Sequence, residues 1–238
     1  MLKNNFEVDI LVNGNRVKEY YHEGKVYVEA KPGSQYSIKI KNNSRRRILA
    51  IPTVDGLSVL DGQSSSSKSR GYIIDGYDSM TIDGWRRSDK EIAEFFFSDK
   101  NNTYSVKVGK SGNEGVIGVK VFYEKETDVS GNCINRNINN VNCSRGFNDC
   151  YNDSINTNQV KSMRQEPMEQ KVGTGWGNDK KSEVTAVSFN REDSPSATFE
   201  IYYNIKEELE KAGVNLSKPP VYTSPHAFPG DFCKPPVK

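Results

Sequence analysis

Phe6-Glu7-Val8-Asp9-Ile10-Leu11-Val12-Asn13-Gly14 is the stretch on which the fold turns. Phe6, Val8, Ile10 and Val12 alternate with Glu7, Asp9 and Leu11, the period of a half-buried strand, and Asn13-Gly14 supplies the positive-φ pair of a tight hairpin turn. Working outward, the same grammar recurs: strands are predicted over 16–21, 26–30, 36–40, 47–54 and 57–60, broken by Lys31-Pro32-Gly33, Asn42-Asn43-Ser44, Asp55-Gly56 and Asp61-Gly62. Further strands are predicted over 71–74, 79–82, 92–97, 104–108 and 116–123, the last long, β-branched and read as central and covered on both faces. Strands of about five residues at this spacing predict an all-β antiparallel sandwich, jelly-roll-like.

Composition bounds the rest. The 238 residues hold 34% hydrophobic and 10% aromatic side chains, enough rings to argue for a packed core despite a mean hydropathy of −0.73. Lys and Arg number 33 against 31 Asp and Glu, so the net charge of +2 offers no field that would announce nucleic-acid binding. No apolar run reaches the length of a membrane span, and the first residues carry no apolar signal-type stretch. The expectation is a soluble, non-exported chain whose Asn-x-Ser/Thr sequons stay unglycosylated.

Residues 132–158 break the pattern with ten Asn and three of the four Cys. Asn favours turns over ladders, so residues 125–170 read as an insertion in a single sandwich domain spanning 1–217. Strands are predicted again over 184–189 and 197–203. One short helix follows over 205–212, with Asn204 as its N-cap and Gly213 as its stop. Residues 218–238 carry Pro219, Pro220, Pro225, Pro229, Pro235 and Pro236 and read as an extended arm.

Few residues point to chemistry. Cys133, Cys143, Cys150 and Cys233 lack the short C-x₂₋₄-C spacing of a zinc knuckle; disulfides joining the insertion to itself or to the tail, and free thiols, are the other readings. His22 is placed in a turn and His226 in the arm, neither beside a nucleophile motif. The acidic pairs Asp75/Asp78 and Asp89/Glu91 read as solvated surface rather than general acid and base. Gly112, Gly115 and Gly118 precede a strand, not the helix that a phosphate cradle needs. Arg45-Arg46-Arg47 and Arg86-Arg87 read as solvated or as salt-bridge partners. Tyr20, Tyr21, Trp85 and Trp176 are weighed as a sugar-stacking platform against core packing, with Trp176 conspicuous between Gly175 and Gly177. No catalytic residue, cofactor or metal ligand is expected.

The segments Val54-Asp55-Gly56-Leu57-Ser58-Val59-Leu60-Asp61-Gly62, Arg70-Gly71-Tyr72, Ile82-Asp83-Gly84-Trp85-Arg86, Gly115-Val116-Ile117-Gly118-Val119, Gly173-Thr174-Gly175 and Ala227-Phe228-Pro229 resemble a family of uncharacterised β-rich proteins from bacteria and large tailed phages. The resemblance covers most of the chain outside the Asn- and Cys-rich insertion. It implies a fold and no reaction. Its Asp-Gly pairs at 55–56, 61–62 and 83–84 read as positive-φ turns, with Trp85 covering an open end of the sandwich.

The insertion and the arm lack any periodic apolar pattern, and ordering each residue costs on the order of 1–2 kcal/mol, so both read as surfaces that order against a neighbour. The expected partner-binding residues are Cys133, Cys143, Phe147, Cys150, Tyr151, Trp176, Tyr222, Phe228 and Phe232. The resulting expectation is a non-enzymatic virion protein, a capsid-associated or decoration subunit of a large phage made in the host cytoplasm and bound to capsid protein. The alternative is a carbohydrate- or receptor-binding module, with a glycan as partner.

Overall fold

The computed structural model describes residues 1–125 and 168–217. In chain order the elements are β1 (Leu2–Lys3), β2 (Phe6–Val12), β3 (Asn15–Arg16), β4 (Glu19–His22), β5 (Lys25–Glu29), β6 (Tyr36–Asn42), β7 (Ile48–Val54) and β8 (Leu57–Ser58). Then come β9 (Tyr72–Ile74), β10 (Ser79–Ile82), β11 (Gly84–Arg86), β12 (Glu91–Asp99), α1 (Tyr104–Lys107), β13 (Val116–Tyr123), β14 (Val172–Lys181), β15 (Ala197–Asn204) and α2 (Lys206–Lys211). The protein is all-β, a sandwich-like stack of mostly antiparallel sheets.

One sheet runs β1-β2-β6-β10 with β3 beside β2, a second runs β4-β5-β15-β13-β7-β8 with β9 beside β7, and a third runs β11-β12-β14. Among the described strands only β5 and β15 pair in parallel. The alternation read in residues 6–12 appears directly: Phe6, Val8 and Ile10 are buried and pair with Asn42, Ile40 and Ile38 of β6. They join Ile117, Val119 and Val121 of β13, Phe199 and Ile201 of β15, and Trp85, Phe95 and Phe97 of the third sheet in one core. Tyr36 stacks on Phe97 with centroids 4.4 Å apart and planes 13° apart. β13 is central between β7 and β15, and its outer face is covered where Phe122 packs with Leu49 and Ile51.

Turn chemistry accounts for the hairpins. Asn13 and Gly14 have φ of +52° and +76°, and Asp55 and Gly56 have +51° and +78°, the pair of left-handed residues that matches strand twist. His22 closes β4, and the turn is Glu23-Gly24. Asp83-Gly84 is not such a turn. Gly84 opens β11, where a Cβ would lie 2.1 Å from the Ala93 carbonyl oxygen, so close strand approach is what requires glycine there.

Three other expectations are corrected. Residues 104–108 are helical, because buried Thr103 caps the turn by accepting from the Val106 N–H and donating to the Lys100 carbonyl. Residues 184–189 form no strand. Regular structure resumes earlier, at β14, whose glycines and charges hide a ten-residue strand from any propensity argument. Asn204 is not the side-chain cap of α2: it is fully buried at the end of β15, accepts from Ile205 and Lys171 N–H groups, and donates to the Glu169 carbonyl.

Replacing Thr103 by Val keeps the volume and removes the cap. We expect a loss of about 1 kcal/mol in urea unfolding with the β-sheet circular dichroism unchanged.

Candidate functional site

Asp55, Gly115, Thr174 and Tyr203 are far apart in sequence and meet within the core. Asp55, at the left-handed corner between β7 and β8, is 1% exposed. Its Oδ1 accepts from the Gly115 N–H at 2.9 Å and from the Tyr203 hydroxyl at 2.6 Å, and its Oδ2 accepts from the Thr174 N–H at 2.7 Å. Thr174 Oγ1 lies 2.8 Å from the Tyr203 hydroxyl and 2.7 Å from the Tyr36 hydroxyl. Because the Tyr203 proton is committed to Asp55, one directed chain satisfies the set: Tyr36 donates to Thr174, Thr174 to Tyr203, and Tyr203 to the carboxylate.

Burial pushes the Asp55 carboxyl up from 3.8 to about 6, against the opposing pull of its three hydrogen bonds, and the neighbouring Glu114 charge adds to the rise. Burial, with the Asp55 charge, holds the Tyr36 and Tyr203 phenols well above their ordinary range, so both stay protonated donors. The chemistry available here is cohesion: one carboxylate ties its own corner to Gly115, β14 and β15 through three hydrogen bonds, and Tyr36 of β6 joins through Thr174.

Above this network β14 carries Trp176 to the surface. The buried Trp85 donates from Nε1 to the Gly175 carbonyl at 3.1 Å. Rings then step outward, Trp85 to Tyr104 at 4.8 Å and Tyr104 to Trp176 at 4.9 Å, and Trp176 ends 38% exposed. A Cβ on Gly175 would fall 2.3 Å from the Phe96 ring, and one on Gly173 would fall 2.3 Å from Thr103 Cγ2. Gly173 and Gly175 of β14 therefore serve close packing against these neighbours.

The remaining sequence candidates separate. Trp85 is 1% exposed and belongs to the core rather than to a binding face. Tyr20 and Tyr21 lie on β4 in a different sheet from Trp85 and Trp176, so the four rings do not form one platform. Arg46 reaches Glu192 and the Glu124 carbonyl, each at 2.6 Å, and Arg47 pairs with Asp75 and Glu124. Arg86 binds Ser182, and Arg87 pairs with Asp179, so Arg46, Arg47, Arg86 and Arg87 are engaged within the fold, while Arg45 is exposed. Asp75 and Asp78 flank an exposed turn. Cys133, Cys143, Phe147, Cys150, Tyr151, Tyr222, His226, Phe228, Phe232 and Cys233, with any staple between the cysteines, lie outside the described residues. Among the described residues no cluster of three or more His, Cys, Asp and Glu side chains is placed to hold a metal ion, and no helix is long and apolar enough to cross a membrane.

Sequence reasoning missed Asp55, which reads locally as an ordinary turn residue. No local signal marks it, because pattern within a segment cannot supply that Asp55, Gly115 and Thr174 converge. No protein-family model, curated protein or solved structure matches this chain.

The folded state binds the Asp55 proton more tightly than the unfolded chain, so this group's contribution to stability is full below about pH 3.8 and is lost as pH rises through about 6. Urea unfolding of the wild type should therefore lose on the order of 2–3 kcal/mol across that window relative to Asp55→Asn, which should be less stable throughout and flatter in pH. Tyr203→Phe, which strips one donor from the carboxylate, should cost about 1–3 kcal/mol at pH 7.

Proposed function

We infer that this chain is a non-enzymatic structural and interaction protein, a capsid-associated or decoration subunit of a large phage particle. The observation that supports this reading is Trp176. A large ring stands 38% exposed on the edge strand β14, stacked on Tyr104 above the buried Trp85. Preorganised, half-exposed aromatics of this kind are the side chains that anchor protein interfaces, because their contact area comes at small conformational cost. The buried polar cluster next to it holds strands together and spends its hydrogen-bonding capacity internally, which fits a scaffold. The resemblance to β-rich proteins of bacteria and large tailed phages adds the setting, and the virion is the proposed location.

A second reading rests on the same Trp176 and Tyr104 rings, whose faces also suit the apolar face of a sugar. A carbohydrate- or receptor-binding module would then use β14 and α1 as its platform.

Purification from the native source separates the two. The structural reading expects this chain in fixed stoichiometry with a capsid protein, and Trp176→Ala should fold normally by circular dichroism yet fall at least about tenfold in the particle fraction. Deletion of residues 132–158, or truncation after Ser217, should likewise leave a folded chain that no longer joins the particle. Glycan-array binding abolished by Trp176→Ala, without particle association, would establish the second reading instead.

A further inference from the structure

Tyr77 occupies a conformation that costs it stability. It sits in the turn between β9 and β10 with φ +61°, the left-handed region where an L-residue's Cβ crowds the backbone and glycine is unstrained. Its ring is 72% exposed. The turn is nevertheless built firmly. Fully buried Asn42 donates from Nδ2 to the Asp75 carbonyl at 2.9 Å and to the Arg46 carbonyl at 2.8 Å, while the Tyr77 N–H reaches the Ser44 carbonyl at 2.9 Å. A rigid mount thus displays a strained aromatic ring to solvent, and strain kept at an exposed side chain points to a task outside the fold.

Asn42 ends β6, and at the other end of the β2–β6 pair is a cleft of about 190 Å³ between Val12, Val17 and Tyr20, with the exposed Lys18 and Lys31 and the half-buried Glu29 also lining it. Val12 pairs with Tyr36, and Phe6 pairs with Asn42, so the cleft and the Tyr77 turn are separated by the length of β6, about 20 Å at ~3.3 Å per residue. Tyr77 cannot enter its own cleft. We propose that Tyr77 of one copy inserts into the Val12, Val17 and Tyr20 cleft of the next, giving head-to-tail self-association. Apolar walls receive the ring, Glu29 and Ser34 offer acceptors to its hydroxyl, and exposed Asp78 beside the ring meets exposed Lys31. Because knob and cleft are different surfaces, the contact is heterologous and propagates into a ring or a filament.

The proposal deepens the assembly reading, and rests on it for its setting, by naming a second copy of this chain as a partner; its test uses the purified full chain alone. Sedimentation velocity from micromolar to hundreds of micromolar at low salt should show oligomers growing with concentration. Tyr77→Gly should weaken association at least about tenfold while the melting temperature holds or rises, since the left-handed strain is relieved. Lys31→Asp should weaken it too, and adding Asp78→Lys should restore it. A folded chain that stays monomeric at every concentration, an oligomer indifferent to Tyr77→Gly, or a failure of the charge exchange to restore association overturns the proposal. Each of those results leaves native co-purification with a capsid protein untouched, so loss of the self-contact is distinguishable from loss of the particle reading.

Discussion

The Asp55 carboxylate is the interaction on which the arrangement of the sheets depends. A buried charge is costly, and among the described residues no cation stands within its hydrogen-bonding shell to offset the loss of water. What stabilises it is the supply of three donors at 2.6 to 2.9 Å, two of them backbone N–H groups that would otherwise be buried without partners. The dependence runs both ways. Gly115 and Thr174 need an acceptor at the corner where β13 begins and β14 passes, and no hydrophobic side chain could provide it. Asp55 reaches that corner only because its own backbone takes a left-handed turn at φ +51°.

The consequence is that β14 is held from below at Thr174 by Asp55 and at Gly175 by Trp85. A strand so rich in glycine would be weakly specified by its side chains, because glycine contributes no packing and loses the most entropy on ordering. Here the missing Cβ atoms let Thr103 and the Phe96 ring approach to contact, and polar anchors replace the specification that side chains normally give. Trp176, one residue beyond those anchors, inherits a fixed position at the surface. Exposure of a tryptophan is then not a packing failure but the outcome of a stack, Trp85 to Tyr104 to Trp176, that begins in the core.

How much of this is legible in the sequence follows from the range of each interaction. The hairpins at Asn13-Gly14 and Asp55-Gly56 depend on two adjacent residues, β2, β6, β13 and β15 on alternation within seven or so, and β7 on a short apolar run between turns, so all are read locally. β14 is invisible because its strand state comes from β12 and from Asp55, not from Gly173, Gly175 or Gly177. Residues 104–107 look extended by their β-branched and aromatic content, and one capping hydroxyl from Thr103 reverses the preference. The Asp55 site is the extreme case: its partners stand 60, 119 and 148 positions away. Only a complete chain trace unites them.

The left-handed residues other than glycine sharpen the contrast between structure and surface. Asn4, Asn13, Glu23 and Asp55 are polar residues at tight corners, and Asn and Asp tolerate the region because their short side chains bond locally. Asp55 turns its strain to account inside the molecule by meeting three donors. Tyr77 has the same backbone state, a larger side chain, 72% exposure and no place in the core clusters. Glycine at this position would satisfy the turn at lower energy, and Asn42 would hold it equally well through the backbone carbonyls it binds. A phenol ring kept where the fold does not need it is therefore best accounted for by a contact that the isolated chain does not make.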